Sequence, residues 1–372
     1  MQKKLLVVLG TFFFLLSFRG FALDGDEARP LADIEKELKV WGTDILTHDS
    51  IEYKIALNER FIQRLKTVLK RADSYDYPFD SLITVSRISP ADNSFRIFTW
   101  QIVDKEKNCR YYGIIQRKHF FGKNQHRIIV TELRDNVDYN VALESTPLTK
   151  GEWFGAIYYK PRYSDYGVLT YTGTFFRQKA LTPGLKKEKV KFYVLLGWNG
   201  HDNATQYKVI DVIIFPREDS SKIYFGAPIF YAGTGIPKHR IIFEYSDNAN
   251  FSCNQAFIEG KKSKKKKLAI VFDHLAKSNK TNPTSNSWDY GADGSYDALR
   301  FVNRYHDQRK GFFVFQKNVT VYDPSLKKYD PKVIQKQYEE EAKRLKQYNL
   351  DLKKNKPKSD PNSNNNSTNK PK

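Results

Sequence analysis

The chain has 372 residues, enough for one large domain or two ordinary ones, and its 40% hydrophobic content is sufficient for a packed core. This composition excludes a wholly disordered protein, and the 15% aromatic content favours strands, because flat, stiff side chains pack well on a pleated surface. The formal net charge of +20 attracts anions in general, although an ordinary solvated, lysine-rich surface is the simpler interpretation.

Residues 1–22 have the parts of a secretory signal peptide. Lys3 and Lys4 form the positively charged N-terminal region. The apolar run 5–18 is shorter than the roughly 20 residues that span a bilayer. The small residues Gly20 and Ala22 predict cleavage before Leu23, with an uncleaved membrane anchor as the alternative. The sequence therefore predicts an exported protein, periplasmic, outer-membrane-associated or secreted, with no stable transmembrane span after processing.

Export to an oxidising compartment would allow the two cysteines to form a disulfide. Cys109 and Cys253 both lie in predicted strands, and a disulfide closing so long a loop would stabilise the fold by roughly 4–5 kcal/mol. Two buried free thiols are equally consistent with the sequence, because cysteine packs as a small hydrophobe.

Residues 30–72 predict a helical pair. Apolar side chains recur at helical spacing from Leu31 to Ile45, and a second stripe runs from Ile51 to Leu69. Each helix has one apolar face, so we expect the helices to pack on each other or on the following domain. A coiled-coil dimer is the alternative.

Residues 79–323 have strand periodicity. Short aromatic and aliphatic runs alternate with turn signals such as Asn199-Gly200 and Ala292-Asp293-Gly294. Short connections predict a large antiparallel meander, sandwich-like or barrel-like. A propeller is less favoured because no signature repeats at a fixed period, and helix-length patterns between strands are absent from the sequence, which disfavours crossover helices.

The C-terminal part changes in composition. Residues 330–354 predict an amphipathic helix that begins at Asp330 and Pro331. Residues 355–372 lack large apolar side chains and predict a disordered basic tail.

No sequence motif with a definite catalytic mechanism is found, so the catalytic residues stay unknown and neither a metal nor a cofactor is predicted. The candidate ligand site is the loop formed by Trp198, Asn199, His201 and Asp202. An aromatic plate beside an amide, an imidazole and a carboxylate suits sugar binding or proton transfer. A structural hairpin turn, with Asn-Gly supplying positive φ, is the favoured interpretation.

Two further groups of polar residues suggest chemistry. Asp289, Asp293 and Asp297 are evenly spaced, which suggests calcium binding, but the spacing differs from that of an EF-hand. Asp273-His274 resembles part of a catalytic dyad. Successive strand residues point to opposite faces, so a polar pair at a strand end is the favoured interpretation.

Several segments resemble uncharacterised exported proteins of Bacteroidota, a family without an assigned activity. The segments that carry this resemblance are 79–82, 89–100, 195–200, 209–212, 225–230, 242–246 and 270–275. The resemblance covers most of the β-region and implies a Gram-negative envelope, with a periplasmic or outer-membrane-facing location. It implies no substrate, cofactor or catalytic residue.

The sequence favours a non-catalytic exported β-protein that binds or scaffolds at the cell envelope, and it leaves catalysis open. One alternative is a carbohydrate-active or other hydrolase, with Trp198 or Trp153 beside paired carboxylates in a cleft. A second is electrostatic binding of an anionic polymer or lipid phosphate through Lys261–Lys267 and the tail. The expected partners are an envelope component or an anionic glycan or lipid surface; nucleic acid is not expected.

Overall fold

The computed structural model describes residues 29–120, 126–138, 142–175, 188–202, 204–216, 222–232, 236–260, 263–277, 290–306 and 309–322. The predicted signal peptide 1–22, helix 330–354 and tail 355–372 lie outside the described residues. The described chain is mainly β, with two helices and largely antiparallel sheets, as predicted. None of these sheets closes on itself in the described ranges. Neither described helix has the length and apolarity needed to cross a membrane.

The secondary structure consists of two helices followed by seventeen described strands. The helices are α1 (Leu31–Thr47) and α2 (Ile51–Leu69). The first eight strands are β1 (Ser86–Ile88), β2 (Phe95–Val103), β3 (Cys109–Phe120), β4 (His126–Arg134), β5 (Leu148–Thr149), β6 (Ile157–Tyr159), β7 (Leu169–Phe175) and β8 (Glu188–Asn199). The others are β9 (Thr205–Ile214), β10 (Tyr224–Phe225), β11 (Phe230–Tyr231), β12 (Ile241–Ser246), β13 (Cys253–Gly260), β14 (Ser263–Lys277), β15 (Tyr290–His306), β16 (Arg309–Gln316) and β17 (Val321–Tyr322).

The two helices cover a four-stranded sheet of order β1-β2-β3-β4. Ser50 caps α2, since its side chain accepts a hydrogen bond from the Tyr53 backbone N–H at 3.2 Å. The apolar faces of both helices share one core with β2 and β3, in which Phe61 and Phe98 are fully buried. The helical pair is confirmed, and the stripe that a coiled-coil dimer would need is buried inside the chain.

The second sheet is built around β8 and β9. Its larger part has the order β14-β15-β16-β7-β8-β9-β10-β5, with β6 also on β8, β11 on β16 and β12 on β9. Alternate residues of β8 enter two separate cores: Tyr193 and Leu195 pack into one, and Phe192 and Val194 into the other. Because both faces are buried, this central strand is apolar along most of its length.

Among the described strands, the order departs from a simple meander in several places, of which two are notable. β16 pairs with β7, which is far away in sequence, and β11 pairs with β16 in parallel. The predicted turn at Ala292-Asp293-Gly294 is wrong, since these residues lie inside β15. Gly294 adopts a positive φ of 86°, and the register with β14 shifts nearby, between Asp273 and Leu275. The glycine marks an irregularity within a strand rather than a chain reversal.

A second compact unit includes residues 256–260, 263–267 and 320–322 of the described chain. In its described part, Phe257 of β13 lies opposite Tyr322 of β17, and the Lys266 ammonium lies over the Tyr322 ring. The run of like charges at 261–267 predicts a hairpin tip that projects into solvent, because these charges repel one another. Residues 263–267 instead belong to β14, because strand pairing extends further than the apolar pattern indicates.

Candidate functional site

The predicted ligand loop is held together by its own polar groups. The Asn199 amide donates to the Gly155 carbonyl at 2.7 Å, and its oxygen accepts from the His201 backbone N–H at 2.7 Å. Asp202 accepts from the backbone N–H groups of Ala204 and Thr205, each at 2.8 Å. The positive φ, 49°, falls on His201 rather than on Asn-Gly. These bonds close a turn, which supports the structural interpretation of Asn199 and Asp202.

The aromatic rings of this loop also contact neighbouring protein side chains. Trp198 is half-buried, and its indole N–H donates to the Gln206 side-chain oxygen at 2.8 Å. The Tyr245 hydroxyl donates to the same oxygen at 3.0 Å. His201 lies 3.6 Å from the Asp202 carboxylate and packs on the Tyr207 ring. The four predicted residues are adjacent, but their polar groups turn towards neighbouring protein atoms rather than towards a shared ligand position.

Cys109 and Cys253 are free thiols in this structure. Cys109 packs against the core that contains Leu195, whereas Cys253 belongs to the core that contains Phe192. The β8 strand separates these cores, because its successive side chains point to opposite faces. Burial raises the pKa of both thiols, to about 12 for Cys253.

His274 forms a hydrogen bond with Asp297 that the sequence analysis did not identify. Its Nδ1 lies 2.8 Å from Oδ2 of the buried Asp297, whose Oδ1 accepts from the Asn318 backbone N–H at 2.9 Å. Asp273 instead accepts from the Ser252 backbone N–H at 2.6 Å, as expected for a side chain on the other face. The hydrogen bond between His274 and Asp297 therefore joins one residue from each of the two groups that suggested chemistry.

This pair has the geometry that orients an imidazole, but it lacks a nucleophile. Within the described ranges, no hydroxyl or thiol is hydrogen-bonded to the second ring nitrogen of His274. The same residues contain no cluster of three or more side chains that could hold a metal. Asp289, the third residue of the calcium hypothesis, lies outside the described part of the chain.

A buried polar network, also missed by the sequence analysis, crosses the second sheet. Asp211 and Arg240 are both fully buried, with Arg240 Nε 3.2 Å from Asp211 Oδ1. Arg240 also donates to the carbonyls of Leu143, Thr146 and Phe225. The available signal was a carboxylate inside the apolar run 209–214. Its partner was not identifiable because it lies 29 residues away.

The network extends to two buried aromatic residues. The Tyr158 hydroxyl lies 3.4 Å from Asp211 Oδ2, and it accepts from the Trp153 indole N–H at 2.9 Å. Burial raises the pKa of Tyr158 well above its usual value. Trp153 is completely buried, so its ring is not available to flank a substrate cleft.

An open groove of about 640 Å³ runs along the outer edge of β4, within the size range of ligand sites. Four chain segments form its walls, and none of them suggested a site in the sequence. The lining residues are Lys66 of α2, Val130, Thr131, Glu132 and Arg134 of β4, residues 149–151 at β5, and Lys222, Ile223 and Tyr224 at β10.

The groove is cationic. Lys66, Arg134, Lys150 and Lys222 oppose one carboxylate, that of Glu132, which gives the lining a net charge of +3. Glu132 is held by Lys66 at 2.8 Å. Arg134 and Lys150 are exposed, and neither has a carboxylate partner among the described residues. These two cations face a polar, open surface on which an anion can replace water.

Comparison of the chain with models of protein families, with curated proteins and with solved structures finds no match. The resemblance to exported Bacteroidota proteins therefore stays a prediction.

We expect Asp211→Asn to lower the free energy of unfolding by about 3–5 kcal/mol, because it leaves the Arg240 guanidinium buried without a counter-charge. Urea unfolding monitored by tryptophan fluorescence measures this loss. Asp33→Asn, which breaks the exposed pair with Lys36, is the matched control and should cost less than about 1 kcal/mol. Equal effects of the two changes would contradict the importance of the buried pair.

Acid should destabilise the protein through His239. This residue is buried beside Arg240, and burial followed by the Arg240 charge lowers its pKa to about 4. The unfolded chain binds this proton near pH 6.5, so the stabilisation is complete above that pH and is lost as the pH falls towards 4. The expected loss is on the order of 2–3 kcal/mol.

The change His239→Gln should flatten this part of the pH profile. The test is the difference in unfolding free energy between the native protein and the variant, measured from pH 4 to pH 7. Subtracting the two profiles removes the contributions of other groups, including nearby Lys238 and Glu144. A difference that does not change with pH would show that His239 does not carry the effect.

Proposed function

We propose that this protein is an exported, non-catalytic β-protein that binds an anionic component of the bacterial cell envelope in the groove beside β4. The observation that carries the proposal is the convergence of Lys66, Arg134, Lys150 and Lys222 on one open surface. Residues far apart in sequence supply these charges, so the patch is a property of the fold. Two of them lack carboxylate partners in the described chain.

The polar side chains of the interior support a binding role over a catalytic one. Asp211 and Arg240 bind each other, and Arg240 also donates to backbone carbonyls. In the predicted loop, the Asn199 side chain is hydrogen-bonded to the loop backbone. The His274–Asp297 pair is the one feature that favours the alternative, a hydrolase with its cleft on the β-domain. Its imidazole would then act as a base towards a water molecule.

Electrostatic attachment through lysine clusters remains the second alternative and is compatible with the groove. The overall charge of +20 draws anions towards the molecule from beyond contact distance. The groove adds a fixed arrangement of cations and a neighbouring Tyr224 ring, which a solvated lysine run does not provide. In this proposal the mainly β body is a sandwich-like scaffold that holds the groove open.

Charge reversal in the groove tests the function. The double variant Arg134→Glu, Lys150→Glu should lose at least about tenfold in affinity, since like charges then face the ligand. Binding is measured by fluorescence anisotropy with labelled polyglutamate and with labelled polyphosphate, and by cosedimentation with phosphatidylglycerol vesicles. Binding should also weaken as salt concentration rises.

The matched control is Lys39→Glu, Lys105→Glu, which changes net charge by the same amount at exposed positions outside the groove. This control should retain most of the affinity. If both double variants bind every probe equally, the groove is not the binding surface.

Export is tested separately by N-terminal sequencing of the protein recovered from the periplasm or medium. The proposal expects a mature chain that begins at Leu23, because the small residues Gly20 and Ala22 suit signal peptidase. Recovery of the uncleaved chain in the cytoplasm would contradict it, and recovery uncleaved in the membrane would favour the anchor.

A further inference from the structure

From Ile128 to Glu132, the outer edge of β4 is an unpaired strand edge beside the cationic groove. In the described chain, β4 is the last strand of its sheet and pairs only with β3. The register runs without a shift from Phe120 opposite His126 to Tyr112 opposite Arg134. A regular ladder of this length directs the backbone groups of alternate residues away from β3.

Two hydrogen bonds identify which residues of β4 point outward. The Arg134 backbone N–H donates to the Lys150 carbonyl at 2.9 Å, on the side away from β3. The Lys118 N–H donates to the Ser94 carbonyl, on the β2 side of β3, and Lys118 lies opposite Ile128. Both hydrogen bonds show that the even-numbered residues of β4 direct their backbone groups away from β3. The backbone N–H and C=O groups of Ile128, Val130 and Glu132 therefore point outward.

This row of donors and acceptors opens into the groove. Val130 and Glu132 are half-buried and line it, so open space adjoins these two residues of the row. An exposed strand edge is a template for an added strand, and proteins that avoid such pairing place prolines or bulges on the edge. β4 contains neither a proline nor a register shift.

The positive charge of the groove favours an acidic ligand over a basic one. This chain's own C-terminal tail is basic, so Arg134 and Lys150 would repel it. A second copy pairing through β4 would bring its own Arg127 and Arg134 towards the same cations. A phosphate group would use the cationic side chains but not the regularly spaced backbone groups. An extended peptide with carboxylates uses both.

We propose that the groove captures an extended acidic peptide segment of an envelope protein, which adds to the sheet as a strand along Ile128–Glu132. This inference rests on the proposed function and specifies its ligand. The backbone of the peptide pairs with the outward groups of Ile128, Val130 and Glu132. Its carboxylates on one face meet Arg134, Lys150 and Lys222, so acidic residues are needed at alternate positions.

The test compares Val130→Pro with Val130→Ala. Proline removes the outward N–H and places its ring in the path of an added strand, while the pairing with β3 does not use this N–H. Alanine shortens the side chain and keeps the N–H. The probe is a fluorescein-labelled peptide of alternating glutamate and valine, with binding followed by anisotropy. We expect a loss of about tenfold or more for the proline variant and less than about threefold for the alanine variant.

A second measurement leaves the protein unchanged, in case Val130→Pro alters folding. The same peptide carries N-methyl groups on alternate residues, in one register and then in the other. Strand addition requires that one of the two registers loses affinity by about tenfold and the other retains it, because only one set of peptide N–H groups faces β4.

The outcomes separate this inference from the proposed function. If N-methylation in either register leaves binding unchanged while Arg134→Glu, Lys150→Glu abolishes it, strand addition is wrong and an anion site remains. If polyphosphate or phosphatidylglycerol vesicles bind and the peptide does not, the ligand class is wrong. If groove charge reversal affects no probe, the function itself fails.

Discussion

The buried ion pair between Asp211 and Arg240 is the constraint on which the second sheet depends. Two charges removed from water cost several kcal/mol each, and a single contact at 3.2 Å does not offset that cost. The offset comes from the remaining donors of Arg240, which bind three backbone carbonyls. Gly226 makes room for this guanidinium, since a Cβ at that position would lie 2.8 Å from Arg240 Nη2.

The same pair determines the shape of the groove. Arg240 binds the carbonyls of Leu143 and Thr146, just before β5, and that of Phe225 in β10. Strands β5 and β10 pair with each other, and the residues next to them form one wall of the groove. A fully buried charge therefore holds in place a wall that carries exposed charges. Side chains buried away from solvent thus position those that would contact the proposed ligand.

The sequence predicted the features that depend on local patterns of residues. It did not predict those that depend on contacts between residues far apart in the chain. The helices of 30–72 and most strands were predictable, because alternation and helical spacing are local patterns and both kinds of element bury one face against a neighbour. The turn at 292–294 was wrong because Gly294 has a role within a strand. β11 and β16 could not be paired in advance, since more than seventy residues separate them and their pairing is parallel.

The candidate site was less predictable than the fold, for a related reason. Trp198, Asn199, His201 and Asp202 were chosen because they are adjacent in sequence, and the structure uses that adjacency to close a turn. The cations of the groove come from four segments between residues 66 and 222, so none of them is distinctive in sequence. His274 and Asp297 were both identified, but in different hypotheses, because they lie on different strands, 23 residues apart in sequence.

Charge and strand geometry contribute differently to recognition in this arrangement. The net charge of +20 acts over the Debye length of about 8 Å, attracts many anions and is weakened by salt. A strand edge acts only at hydrogen-bonding distance and requires a chain with the correct spacing and direction. On a protein that is positive overall, charge alone gives attraction without selectivity. In the proposed complex, selectivity comes from directional groups such as the outward backbone of β4, which a lipid headgroup or a loose polyanion does not match.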